Sequence, residues 1–85
     1  MRLLTHRAAE LTSEGARCPG EISMAKLFCS ERLAETAVRE MRLLGGCAYF
    51  TDAAMPRRLR EGLLTLHAGG TAEIQRNAIA RSLGL

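Results

Sequence analysis

Apolar positions recur at helical spacing in four stretches, separated by glycine and proline. Leu3, Leu4, Ala8 and Leu11 predict a first helix from Arg2 to about Glu14, and Gly15 stands where a C-terminal capping glycine belongs. Cys18-Pro19-Gly20 reads as a turn, since proline fixes φ and glycine permits reversal. From Ile22 to Leu44 the chain has neither residue. There Met24, Leu27, Phe28, Ala34, Val38, Met41 and Leu44 approximate an i, i+3, i+4, i+7 stripe, which predicts the longest helix. Leu33, Ala37 and Leu43 lie off the stripe, so this helix needs contact on more than one side, as in the middle of a bundle.

Gly45-Gly46 ends the long helix, and Cys47 to Asp52 reads as an irregular connection without a partner strand. Pro56 suits the first turn of a short third helix, Arg57 to about Leu66, with Leu59, Leu63 and Leu66 inward. A second glycine pair, Gly69-Gly70, runs into Thr71, a residue suited to cap a final helix reaching about Leu83. Ile74, Ala78 and Leu85 share a face of that helix, and Glu73 sits where a carboxylate complements the positive helix end. A glycine turn that opens a helix also leaves N–H groups able to meet an anion. The expected fold is all-α, one unit over residues 1–85, with three main helices and one short one.

Composition agrees with that picture. Eighty-five residues allow one small domain whose core is marginal without partners. Aromatic residues make up 4%, which disfavours a β-rich fold and leaves packing to Leu, Ile, Met and Ala. The net charge of +3 includes a short basic cluster, Arg57, Arg58 and Arg60, but mixed charge elsewhere reads as solvated helix faces. Cys18, Cys29 and Cys47 are odd in number and lack paired metal spacing, so reduced thiols and no metal are expected. His6 and His67 have no nucleophile or paired carboxylate at recognisable spacing. With no signal peptide and no apolar run of spanning length, a cytoplasmic protein without a membrane partner is expected.

Four motifs in order carry a resemblance. Ser23-Met24-Ala25-Lys26-Leu27-Phe28-Cys29-Ser30-Glu31 comes first, then Leu43-Leu44-Gly45-Gly46, then Leu59-Arg60-Glu61. Last comes Gly70-Thr71-Ala72-Glu73-Ile74-Gln75-Arg76-Asn77 with Ile79-Ala80-Arg81. The sequence resembles the C-terminal helical domain of the acyl-CoA dehydrogenase family nearly end to end, from Arg2 to Leu85. The resemblance implies an incomplete up-and-down bundle, because the family's N-terminal and middle domains and the first helix of the bundle would precede Met1.

It also implies a flavoprotein that desaturates acyl-CoA thioesters with FAD and works as a homo- or hetero-oligomer, this chain not being active alone. By the same resemblance Arg42, Gly45, Gly46, Thr71 and Glu73 would contact FAD, with Arg42 standing where the family usually has Gln. Gly69 and Gly70 would meet the acyl-CoA substrate. Gly69 occupies the position at which many members carry a catalytic glutamate, so the expected set of catalytic residues here is empty. The loop from Cys47 to Pro56 reads as one residue longer than usual, and Leu63 stands where an Arg is common. The alternative is a stand-alone helical interaction module, with Arg57, Arg58 and Arg60 as a nucleic-acid contact; nucleic acid is the minority expectation.

Overall fold

A computed structural model describes residues 1–50 and 54–85. Helix α1 (Arg2–Ser13) is followed by the long α2 (Pro19–Leu44), a 3₁₀ turn (Gly45–Tyr49), α3 (Met55–Leu64) and α4 (Ala72–Ser82). The expected all-α architecture is what the chain adopts. The part of the expected irregular connection at Thr51 and Asp52, and with it the length of that loop, lies outside the described residues.

Helix α2 is the spine, and every other helix packs on it. On its N-terminal half lies α1, with the Thr5 hydroxyl 3.6 Å from the Cys29 sulfur and the Thr12 hydroxyl 3.7 Å from that of Cys18. The same half carries α4, where Gly20 abuts Ser82 and Arg76 donates to Glu31 at 2.7 Å. The C-terminal half carries α3, which sets Gly62 against Leu33 and Ala37, while Met55 packs with Ala37 and Ala48. Each of the three therefore runs antiparallel to α2, with α3 and α4 placed end to end along it.

Three boundaries have local causes. Gly15, at φ +74°, turns the chain after α1, and the Ala16 N–H reaches back to the Leu11 carbonyl at 3.0 Å. Pro19 is the first residue of α2 rather than part of a turn, because a residue without an N–H loses nothing in a first helical turn. The Thr71 hydroxyl caps α4 by accepting from the Ile74 N–H at 3.4 Å. Its own backbone N–H and the Thr71 hydroxyl hold the exposed Glu73 carboxyl below the usual carboxylate range, with Arg76 adding to the effect.

The inward surface differs from the apolar stripe. Ser23, Ala25, Ser30, Ala34 and Ala37 are the buried residues of α2 beyond its first turn, whereas Phe28, Val38 and Leu44 are 44%, 39% and 53% exposed. On α3 the buried residues are Met55 and Gly62, not Leu63, and on α4 Gln75 is buried while Ile74 faces out. Small side chains win because they let helix axes come close. A side chain at Gly20 would put its Cβ 2.7 Å from that of Ser82, nearer than two carbons can sit.

The cost of this packing is a thin interior. The radius of gyration is 15.6 Å against about 12 Å for a compact chain of this length. The accessible surface of 6367 Å² exceeds the roughly 5,000 Å² of a monomeric protein of this mass.

Two buried glycines should respond oppositely to alanine. Gly62→Ala meets ordinary contacts, the nearest at 3.6 Å, and should raise stability by about 0.5–1 kcal/mol through helix propensity. Gly20→Ala should cost about 1–3 kcal/mol by overpacking against Ser82. Denaturant titration followed by circular dichroism measures both. Because the Glu73 carboxyl is held low in the folded chain, its contribution is present above its unfolded pKa and is lost as pH falls through the folded one. Glu73→Gln should therefore flatten the acid limb of a stability–pH profile while leaving the thermal midpoint pH-sensitive elsewhere.

Candidate functional site

The turn between α3 and α4 is built from backbone conformations that favour glycine. Gly69 and Gly70 have φ of +71° and +102°, and a Cβ at Gly70 would lie 2.7 Å from the Gln75 amide nitrogen. The carbonyls of this turn point inward. Lys26 donates from its ammonium to the carbonyls of Thr65 at 2.7 Å and Gly70 at 2.9 Å, and the buried Gln75 amide donates to that of Gly69 at 3.0 Å. The N–H groups of Gly69 and Gly70 have no acceptor among the described residues. Gly69 is exposed, with nothing within 4 Å of a Cβ added there. An apolar cleft of about 440 Å³, lined in part by Lys26, Leu33, Thr65 and Ala68, adjoins the turn.

Such a turn can do one kind of chemistry with its backbone. Amides without an acceptor beside a positive helix end can offer hydrogen bonds to an oxygen anion or a polarised carbonyl. At Ala68, Gly69 and Gly70 the turn has no side chain that takes up a proton, and the Glu73 carboxyl is turned to its own helix start.

The other glycine pair lies elsewhere. Gly45, at φ +61° and ψ −140°, closes α2, and a Cβ at either Gly45 or Gly46 would meet nothing within 4 Å. Lys26 and Glu31 mark the level of the first turn on α2, so the two pairs sit roughly 20–30 Å apart along the spine. Within one chain they do not form a single site. Arg42 is exposed in the last turn of α2 and shares a cleft with Arg39.

The three clustered arginines do not make one basic face. Arg57 and Arg60 line a cleft with Tyr49, Arg58 lines a different one, and Arg57 is paired with Glu61 at 3.5 Å. Among the described residues no group of three or more His, Cys, Asp or Glu could hold a metal ion, and no helix is long and apolar enough to cross a membrane. Lys26 and Gln75 are the positioning residues that the sequence pattern did not single out. The available signal was a lone cation among apolar neighbours, Ala25 and Leu27, and an amide in a helix's first turns.

The family model for the acyl-CoA dehydrogenase C-terminal domain matches residues 1–84. Over 82 residues the chain is 38% identical to an acyl-CoA dehydrogenase of Bacillus subtilis, a match covering 96% of this chain and 22% of that protein. It is 39% identical to the human mitochondrial short-chain specific acyl-CoA dehydrogenase, over 96% of this chain and 20% of the relative. Among solved structures, an acyl-CoA dehydrogenase from Geobacillus kaustophilus superposes with a TM-score of 0.94 at 32% identity, over 99% of this chain and 22% of that one. An FAD complex of PigA superposes at 0.93 and 31% identity, with the same coverage. The chain spans about a fifth of the length of the relatives it matches. With fold, turn geometry and sequence in agreement, the chain belongs to the acyl-CoA dehydrogenase family, matched through its C-terminal helical domain.

Proposed function

We propose that the chain is the C-terminal segment of an FAD-dependent acyl-CoA dehydrogenase, contributing flavin-binding and subunit-interface surface rather than the catalytic base. The observation that carries this reading is the Gly69-Gly70 turn, whose carbonyls are tied down by Lys26 and Gln75 and whose two N–H groups have no acceptor among the described residues, beside an apolar cleft. When bound, FAD would supply an acceptor for the β-hydride, with a carboxylate removing the α-proton of the acyl thioester. The Gly69 and Gly70 amides hydrogen-bond the thioester carbonyl and so acidify the α-carbon. Gly69 holds no carboxylate, so this position does not supply the base.

At the dinucleotide, Gly45 and Gly46 admit close backbone approach, since no side chain or neighbour fills the space above them. Arg42 places a donor-only guanidinium there, suited to a phosphate oxygen. Thr71 and Glu73 stand at the positive end of α4, with Glu73 turned to its own amide and Thr71 rather than outward to a phosphate. This division keeps like charges apart. A cytoplasmic location and an oligomeric assembly belong to the same reading.

The chain alone should neither stay yellow through purification nor reduce flavin when acyl-CoA is added; flavin absorbance bleaching on acyl-CoA would contradict that. Placed in the Bacillus subtilis relative in exchange for the matched segment, it should retain FAD, and a colourless but folded chimera would sink the assignment. In that chimera Gly69→Glu should raise turnover by about 10²–10⁴-fold through general-base catalysis. The same change should lower the melting temperature, because a side chain at φ +71° costs about 1–2 kcal/mol.

A further inference from the structure

Lys26 is held in an unusual way for a cation. Its partly buried ammonium meets two carbonyl oxygens, those of Thr65 at 2.7 Å and Gly70 at 2.9 Å, and no carboxylate among the described residues. Glu31, further along α2, accepts from Arg76, and Glu73 in the first turn of α4 is turned to its own amide and Thr71. No acidic side chain lines the apolar cleft beside the turn, which Lys26 itself lines. Charges withdrawn from water are ordinarily paired. Here peptide dipoles hold the ammonium, so its charge is not cancelled among the described residues.

That charge has a route to the N–H side of the turn. A carbonyl that accepts a hydrogen bond draws electron density from its own peptide nitrogen, and the N–H of that peptide becomes a stronger donor, by about 10–30% per bond. Lys26 acts in this way on the Gly70–Thr71 peptide, through a bond from a charged donor. The buried Gln75 acts on the Gly69–Gly70 peptide through a neutral bond of 3.0 Å. The N–H groups of those two peptides belong to Thr71 and Gly70, and neither has an acceptor among the described residues. The bare Cα of Gly70 is part of this arrangement, because a Cβ there would stand 2.7 Å from the Gln75 amide nitrogen. Neither Lys26 nor Gln75 donates to the Ala68–Gly69 peptide.

We propose that Lys26 is a positioning residue for the reaction itself: its charge, carried across the Gly70–Thr71 peptide, favours negative charge on an oxygen held by the N–H groups of the turn. When the α-proton of an acyl thioester leaves, the electron pair of that C–H bond moves into the bond to the carbonyl carbon, and the carbonyl oxygen becomes negative. An uncancelled ammonium behind the donors stabilises that oxyanion more than the neutral thioester, since only the oxyanion gains a full charge–charge attraction. Gln75 does the same at Gly70 with a dipole, and more weakly. The proposal rests on the reading that this turn meets the acyl thioester, and it assigns part of the α-carbon's acidity to a side chain on the spine helix.

Base-catalysed exchange of a peptide N–H tests the electrostatics in the full chain, because it passes through an anion whose charge sits on the carbonyl oxygen of the same peptide. Followed by NMR, Lys26→Gln, which keeps a neutral donor, should slow exchange at Thr71 about tenfold and at Gly69 least. Lys26→Arg should restore the rate. Unchanged exchange at Thr71 in Lys26→Gln would overturn the proposal. So would equal slowing at Gly69 and Thr71, or faster exchange at both, which marks a tie that only holds the turn in place.

The chimera described above extends the test to the substrate. Acetoacetyl-CoA loses its α-proton without a strong base, and ultraviolet absorbance reports the fraction bound as enolate. Lys26→Gln should leave about tenfold less enolate at a given pH, while butyryl-CoA, whose carbonyl stays neutral, binds within about twofold of the parent. Weaker binding of both thioesters at an unchanged enolate fraction would contradict the proposal. A chimera without flavin would sink the assembly reading and leave the exchange result standing, so the two readings fail separately.

Discussion

Close approach of helices through small side chains is the constraint on which this structure depends. Gly20 against Ser82 and Gly62 against Ala37 bring α4 and α3 onto α2, and alanines and serines fill the rest of the contact. Burial of such residues removes little apolar area from water per contact, so the hydrophobic contribution inside the chain is small. Leucines and aromatics that would supply more are outside: Leu43 is 87% exposed and Tyr49 75%. The same choice that fixes the helix spacing leaves the large side chains for other surfaces.

Polar groups supply what the thin interior does not. The Lys26 ammonium reaches from α2 to the turn before α4, Gln75 reaches back from α4 to that turn, and Arg76 is bonded to Glu31. These contacts set where the Gly69-Gly70 turn sits and which way its amides face. A charged donor on a carbonyl is a stronger tie than a neutral one, and here it is partly buried. The turn is consequently placed by the spine, not by its own residues. Gly45 and Gly46, at the far end of α2, have no comparable ties and lie open.

Much of this was legible in the sequence because helix ends are written in local chemistry. Gly15, Gly45 and Thr71 act through their own backbone or hydroxyl, and each marks an end where the sequence placed one. Pro19 reads in the sequence as a turn residue and opens α2 in the structure, because the same missing N–H suits both a turn and a first helical turn. The inward face of α2 was not legible. Periodicity reports where large apolar residues fall, whereas the neighbours' distance decides whether those residues or the alanines between them face inward. Lys26 and Gln75 escaped for a related reason: their partners are backbone carbonyls about 40 and 6 residues away, atoms that carry no sequence signature.

The hold that Lys26 and Gln75 keep on the turn involves only main-chain oxygens, which every amino acid possesses. The path of the backbone there is accordingly indifferent to what hangs from residue 68 or, within its left-handed conformation, residue 69. Architecture and reactivity are thereby uncoupled at this point. A lineage can shed or regain an ionisable group at the tip of the loop while the scaffold beneath it stays the same.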